Sequence, residues 1–171
     1  KNKNVFPTLE PSNGEYGKII RAMLIKRSSS KVDVKKWLEL FTLDRKEHVQ
    51  HITTALKNDT IVVCDRYYYS TLAYQLEEDA WQEYVKQFLR PHLTFILDCN
   101  VEVAFKRLTA RYKQEQKKKT VFGKIKKLQD VRKKFLLLPN YLSDTIKIIN
   151  ADRTPDEIFK DIRREVDLLI L

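Results

Sequence analysis

The chain has 171 residues, of which 43% are hydrophobic and 33% charged, and it carries a formal net charge of +10. That length and hydrophobic content fit a single folded domain with a core of its own and exclude a disordered chain. No apolar run approaches the roughly 20 residues of a membrane-spanning helix, and no signal-peptide pattern opens the chain, so we expect a cytoplasmic protein without a membrane partner.

The positive charge is concentrated in one segment. Residues 113–134 contain ten Lys or Arg against two acidic residues. A basic chain favours anionic partners such as nucleotides or nucleic acid. Because the excess belongs to one segment and is not spread over a face of the domain, we do not expect nucleic acid as a partner.

The first elements predicted in chain order are a strand and two helices. Residues 4–9 have the pattern of a strand, and Pro7 inside it cannot donate to a strand ladder, so this strand belongs at a sheet edge. Residues 16–27 and 34–57 carry apolar side chains at helical spacing.

One charged residue interrupts the apolar stripe of the second helix. Arg45 lies four residues after Phe41 and four before Val49, so it shares their face. A buried charge is costly unless it is paired, so Arg45 must meet either a protein carboxylate or a ligand. His48 has no set of companions at metal-ligand spacing and is predicted to be a surface or packing histidine.

The remaining elements alternate between strands and helices. Short apolar runs predict buried parallel strands at residues 60–64, 93–97 and 145–149. Helices are predicted at 81–89, at 101–112 and at 122–138, and Pro139 is expected to end the third of these. A capping pattern at 154–157 predicts the start of a last helix. This alternation predicts an α/β fold with a parallel sheet.

An acid and an arginine follow the strand at 60–64. In open α/β sheets, ligands bind outside the carboxyl ends of the strands, which is where Asp65 and Arg66 fall. A carboxylate there can hold a metal ion or its water shell, and a guanidinium can bind phosphate with two parallel hydrogen bonds. The alternative interpretation is that Asp65 caps the next helix and Arg66 forms a salt bridge.

The twelve residues 64–75, Cys-Asp-Arg-Tyr-Tyr-Tyr-Ser-Thr-Leu-Ala-Tyr-Gln, resemble the thymidylate kinase family, whose members carry Asp-Arg-Tyr/His, then Ser, then Ala-Tyr-Gln here. The similarity extends in family order over nearly the whole chain. It includes Thr-Leu-Glu-Pro at 8–11, Leu-Phe-Thr-Leu-Asp-Arg-Lys-Glu-His at 40–48, Pro-His-Leu-Thr-Phe-Ile-Leu-Asp at 91–98 and Asn-Ala-Asp-Arg-Thr-Pro-Asp-Glu-Ile at 150–158.

This resemblance implies a fold and an activity. The fold is that of a phosphate-loop nucleoside monophosphate kinase, a single domain over residues 1–171 with a doubly wound parallel sheet and helices on both faces. The activity is that of a dTMP kinase, which transfers a phosphate from ATP to dTMP with Mg²⁺ as cofactor and serves dTTP synthesis. The family commonly forms homodimers, so a homodimer is expected.

The resemblance also assigns roles at the acceptor site. Asp65 corresponds to the acid that holds the water shell of Mg²⁺, and Arg66 to the arginine that reaches the acceptor's phosphate. Phe41 corresponds to the aromatic residue on which thymine stacks, and Arg45 to the arginine that hydrogen-bonds the base. Tyr74 corresponds to a tyrosine against the 2′ position of the sugar. The other acceptor-site positions are Glu10, Pro11, Ser70, Thr71 and Gln75.

On the donor side, residues 113–123 correspond to the family's lid, which closes on the ATP phosphates. Many relatives carry an Asp-Arg-aromatic-Glu element there, whereas this chain has Thr-Val-Phe-Gly at 120–123. The residues that could replace the absent arginine are Arg111, Lys117, Lys118 and Lys119. Arg153 lies in the segment that resembles the border of the adenine site. The alternative interpretation of the lysine-rich stretch is a solvated run of charge.

The family opens with a strand and a glycine-rich phosphate loop, a motif that the sequence does not contain. That strand lies centrally in the family's sheet, between the strands at 60–64 and 93–97, and its loss would leave backbone groups unpaired. We therefore expect the natural gene to encode an upstream strand, loop and helix of roughly 30 residues. Two other readings stay open: another nucleoside monophosphate or deoxynucleoside kinase, and a non-catalytic relative that binds nucleotide or nucleic acid.

Overall fold

A computed structural model describes residues 3–25, 33–112 and 118–170, with the side chains at 109, 111, 112 and 118–124 left out of the description. The chain divides into two compact units, Lys1–Leu89 and Arg90–Leu171. Each unit contains helices and one pair of parallel strands. The prediction of a mixed α/β protein with parallel strands is therefore confirmed.

The first unit is built on strands β1 (Val5–Leu9) and β2 (Ile61–Asp65), which pair in parallel with Val5 opposite Ile61. Its helices are α1 (Glu15–Ile25), α2 (Val34–Lys57), α3 (Tyr68–Gln75) and α4 (Trp81–Val85), with a 3₁₀ turn at Glu78–Ala80. The fully buried core includes Ile20, Leu72 and Trp81. Within this unit, α2 packs on α1, α3 and β2.

The predicted burial of β2 on both faces is wrong for the described residues. Val63 is 56% exposed, and Ile61, Val62 and Cys64 are only half buried. Side chains alternate between the two faces of a strand, and Val63 lies on a face that no described side chain covers fully. Apolar composition predicted the strand correctly, but burial depends on what packs against each face.

The second unit is built on strands β3 (Thr94–Asp98) and β4 (Ile146–Asn150), which pair in parallel with Thr94 opposite Ile146. Its helices are α5 (Val101–Tyr112), α6 (Lys118–Tyr141) and α7 (Pro155–Ile170). The described residues thus form two two-stranded parallel sheets, and the double winding stays a prediction. No helix in the described part of the chain is long and apolar enough to cross a membrane.

Three predicted helix boundaries are wrong. Pro139 does not end α6, which continues to Tyr141, and the N–H of Leu142 still donates to the carbonyl of Leu138 at 3.0 Å. A proline near a helix end removes one donor without stopping the last turn. α4 ends at Val85 and not at residue 89. α6 begins at Lys118, so residues 118–123 of the predicted lid are helical, while 113–117 lie outside the described residues.

Asp98, at the end of β3, is held by a two-pronged ion pair. Arg132 of α6 donates from Nε to Asp98 Oδ1 at 2.6 Å and from Nη2 to Oδ2 at 2.9 Å. These hydrogen bonds hold the pKa of Asp98 below its ordinary value of 3.8. A carboxyl group whose pKa is depressed by folding stabilises the protein above its unfolded-state pKa, and that contribution is lost as the pH falls through the folded-state pKa.

We expect Asp98→Asn to be less stable than the wild type at pH 7, with the difference shrinking as the pH falls below about 4. Chemical denaturation of both proteins at pH 7 and at pH 3 measures this. Asp130→Asn, the same change at an exposed residue of α6 that has no ion pair in the described structure, is the matched control. A difference between Asp98→Asn and the wild type that stays constant with pH would contradict the assigned role of the ion pair.

The capping pattern at the start of α7 is confirmed. Thr154 Oγ1 accepts from the backbone N–H of Glu157 at 3.4 Å, and Glu157 Oε2 accepts from the backbone N–H of Thr154 at 2.9 Å. These reciprocal bonds form a capping box. The hydrogen bonds from Thr154 also lower the pKa of the Glu157 carboxyl.

We expect Thr154→Ala to lose about 1 kcal/mol of unfolding free energy, the usual cost of removing an N-cap hydroxyl. Thr154→Ser keeps the hydroxyl and should stay close to the wild type. Urea denaturation of the three proteins measures the difference, and equal stability of the alanine and serine variants would show that the cap adds nothing.

Candidate active site

The turn after β2 has an unusual backbone. Asp65 ends the strand and Arg66 follows with a φ of 67°, a left-handed conformation that is uncommon for a residue other than glycine. The Cys64 thiol donates to the Arg66 carbonyl at 3.0 Å, and burial raises the pKa of that thiol to about 12, so it stays protonated as a donor. Strained residues of this kind cluster at ligand sites.

The side chains of Asp65 and Arg66 are exposed at the end of β2. Helix α3 is capped by Tyr67 without a side-chain cap bond, so Asp65 does not cap it. Arg66 makes no salt bridge in the described residues. Its Nη1 donates a hydrogen bond to Ser70 Oγ at 3.4 Å. The alternative interpretation, a cap and a salt bridge, is therefore not what the structure shows.

The Asp65 carboxylate fits the metal that the resemblance implies. Its oxygens have no protein partner in the described part of the chain, while its backbone carbonyl accepts from the Glu10 N–H at 3.0 Å and fixes the strand end. Mg²⁺ usually keeps several waters and binds through one or two carboxylates plus substrate phosphates. No group of three or more potential metal ligands occurs among the described residues, so Asp65 would hold the ion through such a shell.

Arg45 forms a buried ion pair with a carboxylate of the protein. Arg45 is 1% exposed, and its Nε and Nη2 donate to Glu10 Oε2 at 2.9 and 2.6 Å. Glu10 is itself 4% exposed and follows directly after β1. Of the two alternatives left open by the sequence, the protein carboxylate is the one present. Glu10 thus holds Arg45, and a contact between Glu10 and the substrate stays a prediction.

The rest of the Arg45 guanidinium is also enclosed. Nη1 donates to Tyr84 Oη at 3.0 Å, and Nη2 donates to Thr71 Oγ1 at 3.2 Å. The rings of Tyr67 and Phe88 flank the guanidinium carbon, with centroids at 5.4 and 5.1 Å. A guanidinium has five N–H donors, so in the described structure one N–H, on Nη1, has no protein acceptor.

His48 completes the surroundings of Glu10. It is 3% exposed, with Nδ1 at 3.3 Å from Glu10 Oε1 and Nε2 at 2.7 Å from Thr8 Oγ1. Both ring nitrogens therefore have a partner within the first unit. His48 is therefore a buried histidine that orients the carboxylate paired with Arg45.

Helix α2 also holds the turn that carries Glu10. Asp44 is fully buried and accepts from the Ser12 N–H at 2.9 Å and from Ser12 Oγ at 2.6 Å. Glu47 accepts from the first N–H of α1, that of Glu15, at 3.1 Å. At Gly17 a Cβ would lie 2.0 Å from the Ser12 carbonyl oxygen, so only glycine permits this approach. The turn is thus fixed to α2 through side chains.

The other predicted acceptor residues lie in the same unit. Thr71 is buried against Arg45, and Phe41 is half buried with its ring 5.9 Å from that of Trp37. Tyr74 is 44% exposed. Gln75 Oε1 is buried and, alone among the buried side-chain nitrogen and oxygen atoms of the described residues, has no hydrogen-bond partner. The Pro11 carbonyl accepts from Arg21 Nη1 at 2.6 Å.

The predicted ATP-binding residues are described only in part. Lys117 and the side chains of Arg111, Lys118 and Lys119 lie outside the described structure. Arg153, in the second unit, donates from Nη2 to Asp161 Oδ2 at 2.5 Å and from Nε to the Asn150 carbonyl at 3.1 Å. Those bonds brace the start of α7, and a contact to ATP by Arg153 stays a prediction.

Sequence reasoning missed two residues of this site, Asp44 and Tyr84. A pattern that could have indicated Asp44 is its place four residues before His48, next to Arg45, which puts three polar residues within about one turn of α2. No comparable pattern marks Tyr84, which contacts Arg45 from 39 residues away.

A parallel strand pair that ends in a free carboxylate and an exposed guanidinium defines an α/β protein suited to ligands that carry phosphate. The sequence profile of the family described as thymidylate kinase matches residues 1–162. This chain belongs to the thymidylate kinase family.

Individual relatives agree with the family assignment. The chain is 36% identical over 171 residues to a probable thymidylate kinase of Pyrococcus horikoshii, with 95% of this chain and 80% of the relative covered. It is 36% identical over 179 residues to a thymidylate kinase of Desulfotalea psychrophila, with 99% and 83% covered. The predicted family and the predicted enzyme class, a phosphotransferase, are confirmed, and the two other readings are not favoured.

Proposed function

We propose that the protein transfers the terminal phosphate of ATP to dTMP and so forms dTDP and ADP. The observation that carries the proposal is Arg45, held rigidly by Glu10 with one N–H to spare, in a chain that belongs to this family. A guanidinium fixed in this way recognises a ligand oxygen without reorganising.

Two groups of the first unit complement a thymine base. Arg45 offers a donor, and Gln75 Oε1 is an acceptor without a protein partner. Thymine and uracil present carbonyl oxygens and an N3–H donor, whereas cytosine has no N3–H. Phe41 supplies an aromatic face for stacking, and Tyr74 stands against the 2′ position of the sugar. Glu10, Pro11, Ser70 and Thr71 complete the acceptor site in this proposal.

The strand end of β2 handles the phosphates. The exposed guanidinium of Arg66 binds the phosphate of dTMP. Asp65 holds Mg²⁺ through its water shell, and the ion when bound neutralises charge on the phosphates. In phosphoryl transfer the protein's own contribution is positioning and electrostatic stabilisation, so this chain places an acid and a cation at one strand end.

The donor side and the assembly are further parts of the proposal. Residues 113–123 act as a lid over ATP. The ATP-binding residues are Arg111, Lys117, Lys118, Lys119 and Arg153. The protein works as a cytoplasmic homodimer of single-domain subunits with a doubly wound sheet. The parallel pairing of both strand pairs supports the sheet, and the local excess of lysine supports the lid.

We expect the full-length protein to phosphorylate dTMP in preference to UMP and CMP, with activity that requires Mg²⁺. A coupled assay of ADP formation with dTMP, dUMP, UMP and CMP, with and without EDTA, measures both points. Comparison of dUMP with UMP isolates the effect of the 2′ hydroxyl, and comparison of UMP with CMP tests the N3–H and the C4 carbonyl oxygen together. Equal turnover of UMP and dTMP would rule out the proposed acceptor.

A further inference from the structure

Tyr84 reaches the Arg45 guanidinium from a different element than Glu10 does. It lies on α4, is 8% exposed, and places its Oη 3.0 Å from Arg45 Nη1. The same Oη lies 3.0 Å from Thr42 Oγ1, and Thr42 Oγ1 donates to the carbonyl of Leu38 at 2.6 Å. Arg45, Tyr84, Thr42 and Leu38 thus form one continuous chain of hydrogen bonds.

The chemistry of its ends gives this chain a single direction. A guanidinium can only donate, and a backbone carbonyl can only accept. The Thr42 hydroxyl therefore donates its hydrogen bond to the Leu38 carbonyl, so the Thr42 oxygen accepts a hydrogen bond from the Tyr84 hydroxyl. The Tyr84 oxygen is then left with its lone pairs towards Arg45. No member of the chain can reverse without leaving a buried donor unpaired, which is costly.

We propose that the Tyr84 hydroxyl, oriented by Thr42, is a positioning group for recognition of the acceptor base by Arg45. Glu10 engages the Nε and Nη2 side of the guanidinium, while Tyr84 takes one of the two protons on Nη1. The remaining N–H of Nη1 is the one that can donate a hydrogen bond to a ligand. Without the Tyr84 hydroxyl, neither N–H group of Nη1 has a fixed acceptor in the protein. The guanidinium is then less well oriented towards the ligand, and binding of the base weakens. This inference rests on the proposed function.

The test uses the full-length protein and the variants Tyr84→Phe, Thr42→Val and Thr42→Ser. Equilibrium binding of dTMP by calorimetry and steady-state kinetics in dTMP and in ATP are measured for each. Tyr84→Phe should weaken dTMP binding and raise the KM for dTMP about tenfold, the effect of one hydrogen bond to a charged group, while the KM for ATP stays within about twofold. Thr42→Val should act in the same direction, and Thr42→Ser, which keeps the hydroxyl, should match the wild type.

Two comparisons separate positioning from simple destabilisation. In the double variant Tyr84→Phe with Thr42→Val, dTMP binding should be no weaker than in Tyr84→Phe alone, because both changes break one chain. Tyr16→Phe is the matched control, since Tyr16 is half buried on α1 and its hydroxyl has no hydrogen bond in the described structure. Its dTMP affinity should equal that of the wild type.

Unchanged dTMP affinity in Tyr84→Phe, with or without a lower melting temperature, overturns the inference and leaves the proposed function intact. A wild-type protein that does not bind dTMP overturns the proposed function and the inference together. If Tyr84→Phe does not fold, the pair at position 42 decides: equal dTMP affinity of Thr42→Val and Thr42→Ser overturns the inference, and a selective loss in Thr42→Val supports it.

Discussion

Arg45→Ala should lower the free energy of unfolding by about 3–5 kcal/mol, because it leaves Glu10 as a buried carboxylate without its countercharge. The pair is almost fully enclosed, with the Arg45 side chain 1% and the Glu10 side chain 3% exposed. Denaturation in urea measures the loss. Lys46→Ala is the matched control, since Lys46 is the next residue of α2 and is exposed, and its effect should stay within about 0.5 kcal/mol.

The double variant Arg45→Ala with Glu10→Ala separates stability from recognition. Removing both charges removes the uncompensated carboxylate, so the double variant should be more stable than Arg45→Ala alone. Use of dTMP should not recover, because the donor for the base is still absent. Recovery of dTMP use in the double variant would show that Arg45 serves the fold alone and does not contact the acceptor.

Asp65→Asn should lower kcat by about two to three orders of magnitude, the scale seen when one preorganised electrostatic group is removed from an active site. The melting temperature should not change, because the Asp65 side chain has no protein partner in the described residues. Steady-state kinetics at saturating ATP and dTMP, together with a thermal melt, measure both quantities. The dependence of kcat on Mg²⁺ should weaken in the same variant, since the carboxylate is its proposed anchor.

Asp59→Asn is the matched control for Asp65→Asn. Asp59 is an exposed acid that precedes the amino end of β2, whereas Asp65 ends the strand. Asp59 has a φ of 51°, a conformation that asparagine also tolerates. Its kcat should equal that of the wild type. Near-normal turnover in Asp65→Asn would remove Asp65 from the reaction and leave it as a strand-end residue only.

Local sequence patterns determined most of the secondary structure of this protein. α2 spans Val34–Lys57 and α5 spans Val101–Tyr112, as their helical spacing predicts, and the capping box at Thr154 and Glu157 lies where the residue types indicate it. These features depend on residues within one or two turns of each other. The position of Asp65 and Arg66 at a strand end follows from the same kind of local pattern.

The resemblance of nearly the whole chain to one family was also visible in the sequence and is confirmed by the profile match over residues 1–162. The residues that it predicts for the acceptor site all lie in the first unit. It did not reveal which of them bind each other, and the sequence alone left Arg45 with two alternatives. Burial of β2 was predicted wrongly because composition describes a side chain and not its surroundings.

Tertiary structure decided the partners of Arg45. Glu10 lies 35 residues away in sequence, Thr71 26 and Tyr84 39, and they come from the end of β1, from α3 and from α4. Asp44 and His48 likewise bond to residues 32 to 40 positions away. No local pattern encodes such contacts, because each depends on how separate elements pack. Only the packed unit shows that a buried charge, which hydrophobic spacing alone disfavours, is satisfied by a carboxylate, two hydroxyls and two aromatic rings.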